Sequence, residues 1–164
     1  MKGRENINNW FEKGEKLFRQ GLMKEAYKCF LQALENEESK AKVYNRLGLI
    51  MHHWGNLKEA KDYIYKALSL EPASPKFLNN LGNIYLEEEE LEKAETLYQQ
   101  AISLDPQYST AQYNLSILYK KRGEIEKSLK HFHKSLNLDR KFYWEKWHET
   151  ISKVFKRLLS LKRK

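Results

Sequence analysis

The sequence predicts an all-α protein built as an array of stacked helix pairs. Three observations point to it. Leu47-Gly48, Ala60, Ala67 and Pro72 return 34 residues later as Leu81-Gly82, Ala94, Ala101 and Pro106. A period of that size marks one helix pair, repeated because no single pair can bury its own apolar face. Within each period, apolar residues recur at three- and four-residue steps, the spacing of a helix face. The 164 residues include only 7 Gly and 3 Pro while 32% are charged, which suits helices and argues against a turn-rich sheet.

Residues 1–6 are expected to fray. The first unit, 7–40, carries Trp10, Gly14, Ala26, Phe30 and Ala33, with Gly21 at its turn. In the second, 41–74, Val43, Tyr44, Leu47 and Ile50/Met51 stripe one helix, and Leu57, Ala60, Ile64, Ala67 and Leu68 a second. Gly55-Asn56 is the turn between them. Pro72 stops the second helix, and Pro75 opens the next, where a missing N–H costs nothing. The third unit, 75–108, repeats the pattern with Glu89 where its neighbours carry a turn glycine. The fourth, 109–142, keeps Leu115, Tyr119 and Phe132 but has Ser116, Ser128 and Ser135 at the small positions and Gly123 at the turn. Gly48 and Gly82 are expected to face Ala60 and Ala94 where the helices cross. Gly inside a helix costs about 1 kcal/mol against Ala, so a packing reason is needed.

Beyond 142 the period fails. Trp144, Trp147, Ile151, Val154, Phe155 and Leu158 still share one helical face, so 143–164 is expected to be an amphipathic capping helix with a basic end. The net charge of +8 is concentrated there. Residues 141–164 hold eight Lys or Arg against Glu145 and Glu149, and the rest of the chain is nearly balanced. Such a tail favours anionic partners or surfaces.

The chain resembles the tetratricopeptide repeat (TPR) proteins. The resemblance covers roughly residues 7–142 and rests on Tyr44, Leu47, Gly48, Ala60, Ala67 and Pro72, then on Leu81, Gly82, Tyr85, Ala94, Tyr98, Ala101 and Pro106. The outer copies depart from it, with Lys13 for Leu, and Glu38 and Arg140 for Pro. It implies a right-handed superhelical array of about four repeats whose first helices line a concave, peptide-binding groove.

Asparagine competes with the helix backbone for hydrogen bonds, yet it recurs inside these first helices. Lys76, Asn79, Asn80 and Asn83 share one face; Lys42, Asn45, Arg46 and Leu49 occupy the same slots one repeat earlier, and Thr110, Tyr113, Asn114 and Ile117 one repeat later. The resemblance makes Lys42, Asn45, Arg46, Lys76, Asn79, Asn80, Asn83, Tyr113 and Asn114 the expected groove residues. An amide offers a donor and an acceptor, matching a peptide unit, and the cations suit acidic side chains or a terminal carboxylate. The family's dicarboxylate clamp is incomplete here, because Phe11 and Glu15 spoil one register and Leu49 and Thr110 the other. Binding of a chaperone C-terminal tail is therefore not expected.

Other chemistry is poorly represented. Cys29 stands alone, which excludes an intrachain disulfide. His52-His53 and His131/His133 diverge on a helix, and Glu87–Glu90 reads as a solvated turn. Trp54, beside a turn, is a candidate exposed anchor. No phosphate loop, zincin helix or nucleophile elbow is present. The opening residues lack the apolar run of a secretory signal, and no stretch approaches membrane-spanning length. The expectation is a cytoplasmic, non-enzymatic scaffold without cofactor, binding another protein or an acidic peptide. Two alternatives remain: a tail that docks on nucleic acid or an anionic membrane, and self-association into a homo-oligomer.

Overall fold

The computed structural model describes residues 4–35 and 40–139. Among them are eight helices and no strand: α1 (Arg4–Arg19), α2 (Met23–Ala33), α3 (Lys40–His53), α4 (Leu57–Leu70), α5 (Pro75–Glu87), α6 (Leu91–Leu104), α7 (Ser109–Lys121) and α8 (Ile125–Leu138). They pair as hairpins, α1 with α2, α3 with α4, α5 with α6 and α7 with α8. The chain divides into two compact units, Met1–Pro106 with three hairpins and Gln107–Lys164 with the fourth. α1 begins at Arg4, within the stretch expected to fray. The expected capping helix at 143–164 lies outside the described residues.

In the first unit, consecutive hairpins close on one another through α2 with α3, α4 with α5, and α3 with α5. One apolar cluster joins Ala26, Phe30 and Ala33 of α2 to Val43, Leu47 and Ile50 of α3. The other joins Ala41 and Met51 of α3 and Ala60, Ile64 and Ala67 of α4 to Phe77, Leu81 and Ile84 of α5. Each hairpin thus supplies half of the core that its neighbour completes, as the period requires.

The glycines in the first helices are there for close approach. A Cβ on Gly48 would sit 2.6 Å from Ile64 Cγ1 and 3.1 Å from the Ala60 carbonyl oxygen; on Gly82 it would sit 2.6 Å from the Tyr98 ring. The bulky residue one turn past the expected alanine therefore sets the constraint. In the second unit Ser116 fills the glycine slot. Its Oγ donates to the Tyr113 carbonyl at 2.6 Å, and Ser128 Oγ donates to the Ser116 carbonyl at 2.8 Å.

The turns share one geometry. Gly21, Gly55 and Gly123 have φ of 78°, 79° and 76°, and Glu89 adopts 62° in the same slot. Asn56 N–H reaches the Met51 carbonyl and Glu90 N–H the Tyr85 carbonyl, each at 2.9 Å, closing the helix end with a six-to-one bond. A left-handed glutamate costs about 1–2 kcal/mol more than glycine there. As expected, α5 begins at Pro75, and Pro72 follows the end of α4.

A basic cleft as the candidate binding site

The candidate site is a cleft of about 360 Å³ in the first unit, lined by Phe11 and Glu15 of α1, Lys42, Asn45 and Arg46 of α3, Glu71 and Ser74 of the connection, and Lys76 and Phe77 of α5. It forms because consecutive hairpins touch through their apolar stripes, which leaves the polar edges of the first helices to meet. A more open hollow along α1 shares Phe11 and Glu15 with it.

Three cations converge on the cleft. Lys42 and Lys76 are exposed. Arg46 donates from Nε and Nη2 to the two Glu15 carboxylate oxygens, the Nη2 bond being 2.8 Å long. Both partners are mostly sheltered, with side chains 18% and 15% exposed, and the guanidinium lies over the Phe18 ring at 5.2 Å. Although the Lys76 side chain is exposed overall, partial desolvation holds its ammonium below the usual lysine range; Arg46 and Lys42 push it the same way, and Glu15 opposes them. The cleft lining sets Lys42, Arg46 and Lys76 against Glu15 and Glu71, which leaves one positive charge in excess, and a carboxylate placed there would be favoured by the cations.

The asparagines behave differently from the sequence expectation. Asn45, Asn79 and Asn80 are buried at 2%, 2% and 8% exposure. Asn80 Nδ2 donates to Asn45 Oδ1 at 2.8 Å, tying α5 to α3. Asn83 is half-buried and accepts from the Tyr98 hydroxyl at 2.8 Å within its own hairpin. The Asn45–Asn80 and Asn83–Tyr98 bonds each join two helices, as expected where a sheltered amide must be paired. Of the asparagines expected in the groove on α5, Asn79 and Asn80 are thus buried and Asn83 is half-buried. Asn45 also borders the cleft, with its carbonyl engaged by Asn80. In the second unit Asn114 is buried at 9% exposure, and Tyr113 packs its ring 6.4 Å from Phe132.

Other residues singled out in the sequence also find structural partners. Trp54 is 37% exposed, its ring 5.5 Å from Tyr27. The glutamate run is not merely solvated: Glu87 pairs with His52 at 2.5 Å, Glu88 takes the Lys61 ammonium on both oxygens at 2.7 Å, and Glu90 pairs with Lys93 at 2.5 Å. His131 Nδ1 lies 2.8 Å from Gln112 Oε1. Cys29 is buried. Among the described residues no group of three His, Cys, Asp or Glu is placed to hold a metal, and no helix is long and apolar enough to cross a membrane. The residue that sequence reasoning undervalued is Glu15. It entered only as an obstacle to a known clamp, and its lone signal was a carboxylate amid the groove cations.

Sequence models of the tetratricopeptide repeat match residues 41–74, 75–108 and 97–130. The chain belongs to the tetratricopeptide repeat family. No curated protein sequence matches it. Among solved structures it is similar to MamA, with a TM-score of 0.70 and 22% identity over 86% of this chain and 82% of that one. It is also similar to PilF of Pseudomonas aeruginosa, with a TM-score of 0.75 and 25% identity over 85% of this chain and 64% of that one. The O-GlcNAc transferase of Thermobaculum terrenum aligns with a TM-score of 0.67 and 21% identity over 73% of this chain but only 23% of the enzyme. The MamA and transferase likenesses show the shared fold. Membership of the TPR family supports a general role as a protein-interaction scaffold.

Proposed function

We propose that this TPR chain is a scaffold that binds a carboxylate-bearing segment of a partner protein in the cleft between α1, α3 and α5. The observation that carries the reading is the convergence of Lys42, Arg46 and Lys76 on one cleft that Phe11 and Phe77 also line. Cations on rigid helices with apolar walls between them suit an extended acidic peptide: the charges fix its carboxylates and the rings cover its aliphatic stems. Lys42, Arg46 and Lys76 make the direct contacts, while Asn45 and Asn80, bonded to each other, brace α3 against α5 behind them. Residues 7–142 are read as four repeats, with 143–164 as their cap. The scaffold role involves no catalysis.

The test is binding of a fluorescein-labelled hexaglutamate peptide, followed by anisotropy. Lys42→Ala with Lys76→Ala should weaken binding at least tenfold at unchanged helicity. Binding that survives both changes would remove the cleft from the account. Trimming residues 153–164 separates this reading from docking by the tail, which predicts that binding of anionic partners is lost with those cations.

A further inference from the structure

Arg46 is already bound as a ligand carboxylate would bind it. Glu15 takes the Nε–Nη2 edge with both oxygens, and the guanidinium lies over the Phe18 ring. The contact spans 31 residues of sequence and joins the first hairpin to the second. Planar two-point pairing is the strongest way for arginine to hold a carboxylate, and it is specific in direction. A carboxylate arriving in the cleft therefore meets its best partner engaged, beside a carboxylate of its own sign. Lys42 and Lys76, the other two cations of the cleft, remain exposed.

We propose that Glu15 is an internal competitor that sets the threshold for binding in this cleft, and that an acidic segment binds by taking Arg46 over from it. The inference rests on the cleft being the binding site proposed above. Exchange leaves Arg46 with the same number of charge-assisted hydrogen bonds, so one carboxylate gains little by displacing another. A net gain comes only from further carboxylates that reach Lys42 and Lys76 in the same event. The cleft thus selects segments with several carboxylates and rejects isolated ones. Glu15 acts on the ligand through Arg46 and is a specificity-determining residue rather than a contact.

The experiment uses the full chain and the labelled hexaglutamate peptide, with an isosteric peptide carrying a single glutamate among glutamines as a second probe. Glu15→Gln removes the competing charge at constant size. It should tighten hexaglutamate binding at least tenfold and raise the single-glutamate peptide from undetectable to measurable. In an Arg46→Gln background the same change should give less than a twofold gain. Glu12→Gln, which removes the same charge one turn earlier on exposed α1 surface, should change binding less than twofold. Glu15→Asp, which keeps the charge but draws it back, should fall between wild type and Glu15→Gln, and serves if the glutamine variant does not fold. Unaltered or weaker binding by folded Glu15→Gln, or equal gains from Glu12→Gln, would overturn the competitor role. If Lys42→Ala with Lys76→Ala still abolished binding in that case, the cleft would stand and only the role of Glu15 would fall. Absence of binding in every variant would overturn both.

Discussion

The two seams between hairpins in the first unit occupy equivalent positions and fill several equivalent slots with different chemistry. Where the second hairpin meets the first, Trp54 packs on Tyr27; 34 residues further on, the same two slots hold Glu88 and Lys61, which form an ion pair. Arg46 and Asn80 are likewise 34 apart. Arg46 reaches back to the Glu15 carboxylate, while Asn80 bonds the Asn45 amide and is buried with it. The stacking of helix pairs demands filled volume and paired polar groups, and leaves the choice of chemistry open. The first seam uses that freedom to keep charge beside a cleft. The second spends its polar groups on neutral amides and ion pairs that close it. The proposed binding site accordingly draws its arginine from the first seam.

The comparison assumes that the hairpins on either side are equivalent in their internal packing. Gly48→Val and Gly82→Val probe this, since a Cβ at either site would stand 2.6 Å from a buried side-chain carbon. Each should cost about 3 kcal/mol, the upper range for overpacking a filled core. Urea unfolding followed by circular dichroism measures it. Losses that differ by more than about 1 kcal/mol, well above the usual non-additivity of distant sites, would show unequal hairpins and break the comparison.

Asn80→Ala separates stability from recognition. It leaves the buried Asn45 carbonyl without the donor shown here and should cost about 2 kcal/mol, the penalty of an unmet buried polar group. Replacing both amides, Asn45→Val with Asn80→Ala, should recover much of that loss, because neither polar group is then stranded. Acidic-peptide affinity of folded Asn80→Ala should change less than threefold. A larger loss of affinity at full folding would return Asn80 to the ligand-binding set and make the second seam a recognition surface as well.

How much of this was legible in the sequence follows from the range over which each feature is determined. The helices, their turns and the hairpin contacts are encoded locally. Apolar spacing, Gly55, and the alignment of Glu89 with turn glycines each refer to neighbours within one unit, and the left-handed φ of 62° at Glu89 follows from its slot. The fates of Asn45 and Asn80 depend on a partner 35 residues away. An amide on a helix face serves equally well for a peptide backbone or for another amide, and only the distance between α3 and α5 decides. Glu15 was hidden for a related reason. Its slot holds Leu49 in the next repeat, so the period assigns it no polar role, and its bond to Arg46 crosses from one repeat to the next.

The smallest expected effect concerns the paired slots themselves. Lys61 and Glu88 are 22% and 23% exposed, and the ammonium bonds both carboxylate oxygens at 2.7 Å. A double-mutant cycle with Lys61→Ala and Glu88→Ala should give a coupling of about 0.5–1 kcal/mol, because partial solvent access screens the charges. The Trp54→Ala and Tyr27→Ala cycle should give about 1 kcal/mol, from ring contact beyond the area buried. The two couplings should respond differently to salt. Raising ionic strength to about 1 M, where the screening length falls to about 3 Å, should shrink the ionic coupling and leave the aromatic one unchanged. If both couplings shrank together, the aromatic seam would owe its strength to the neighbouring Arg46–Glu15 pair rather than to its rings, and the two seams would differ in shape but not in the force that closes them.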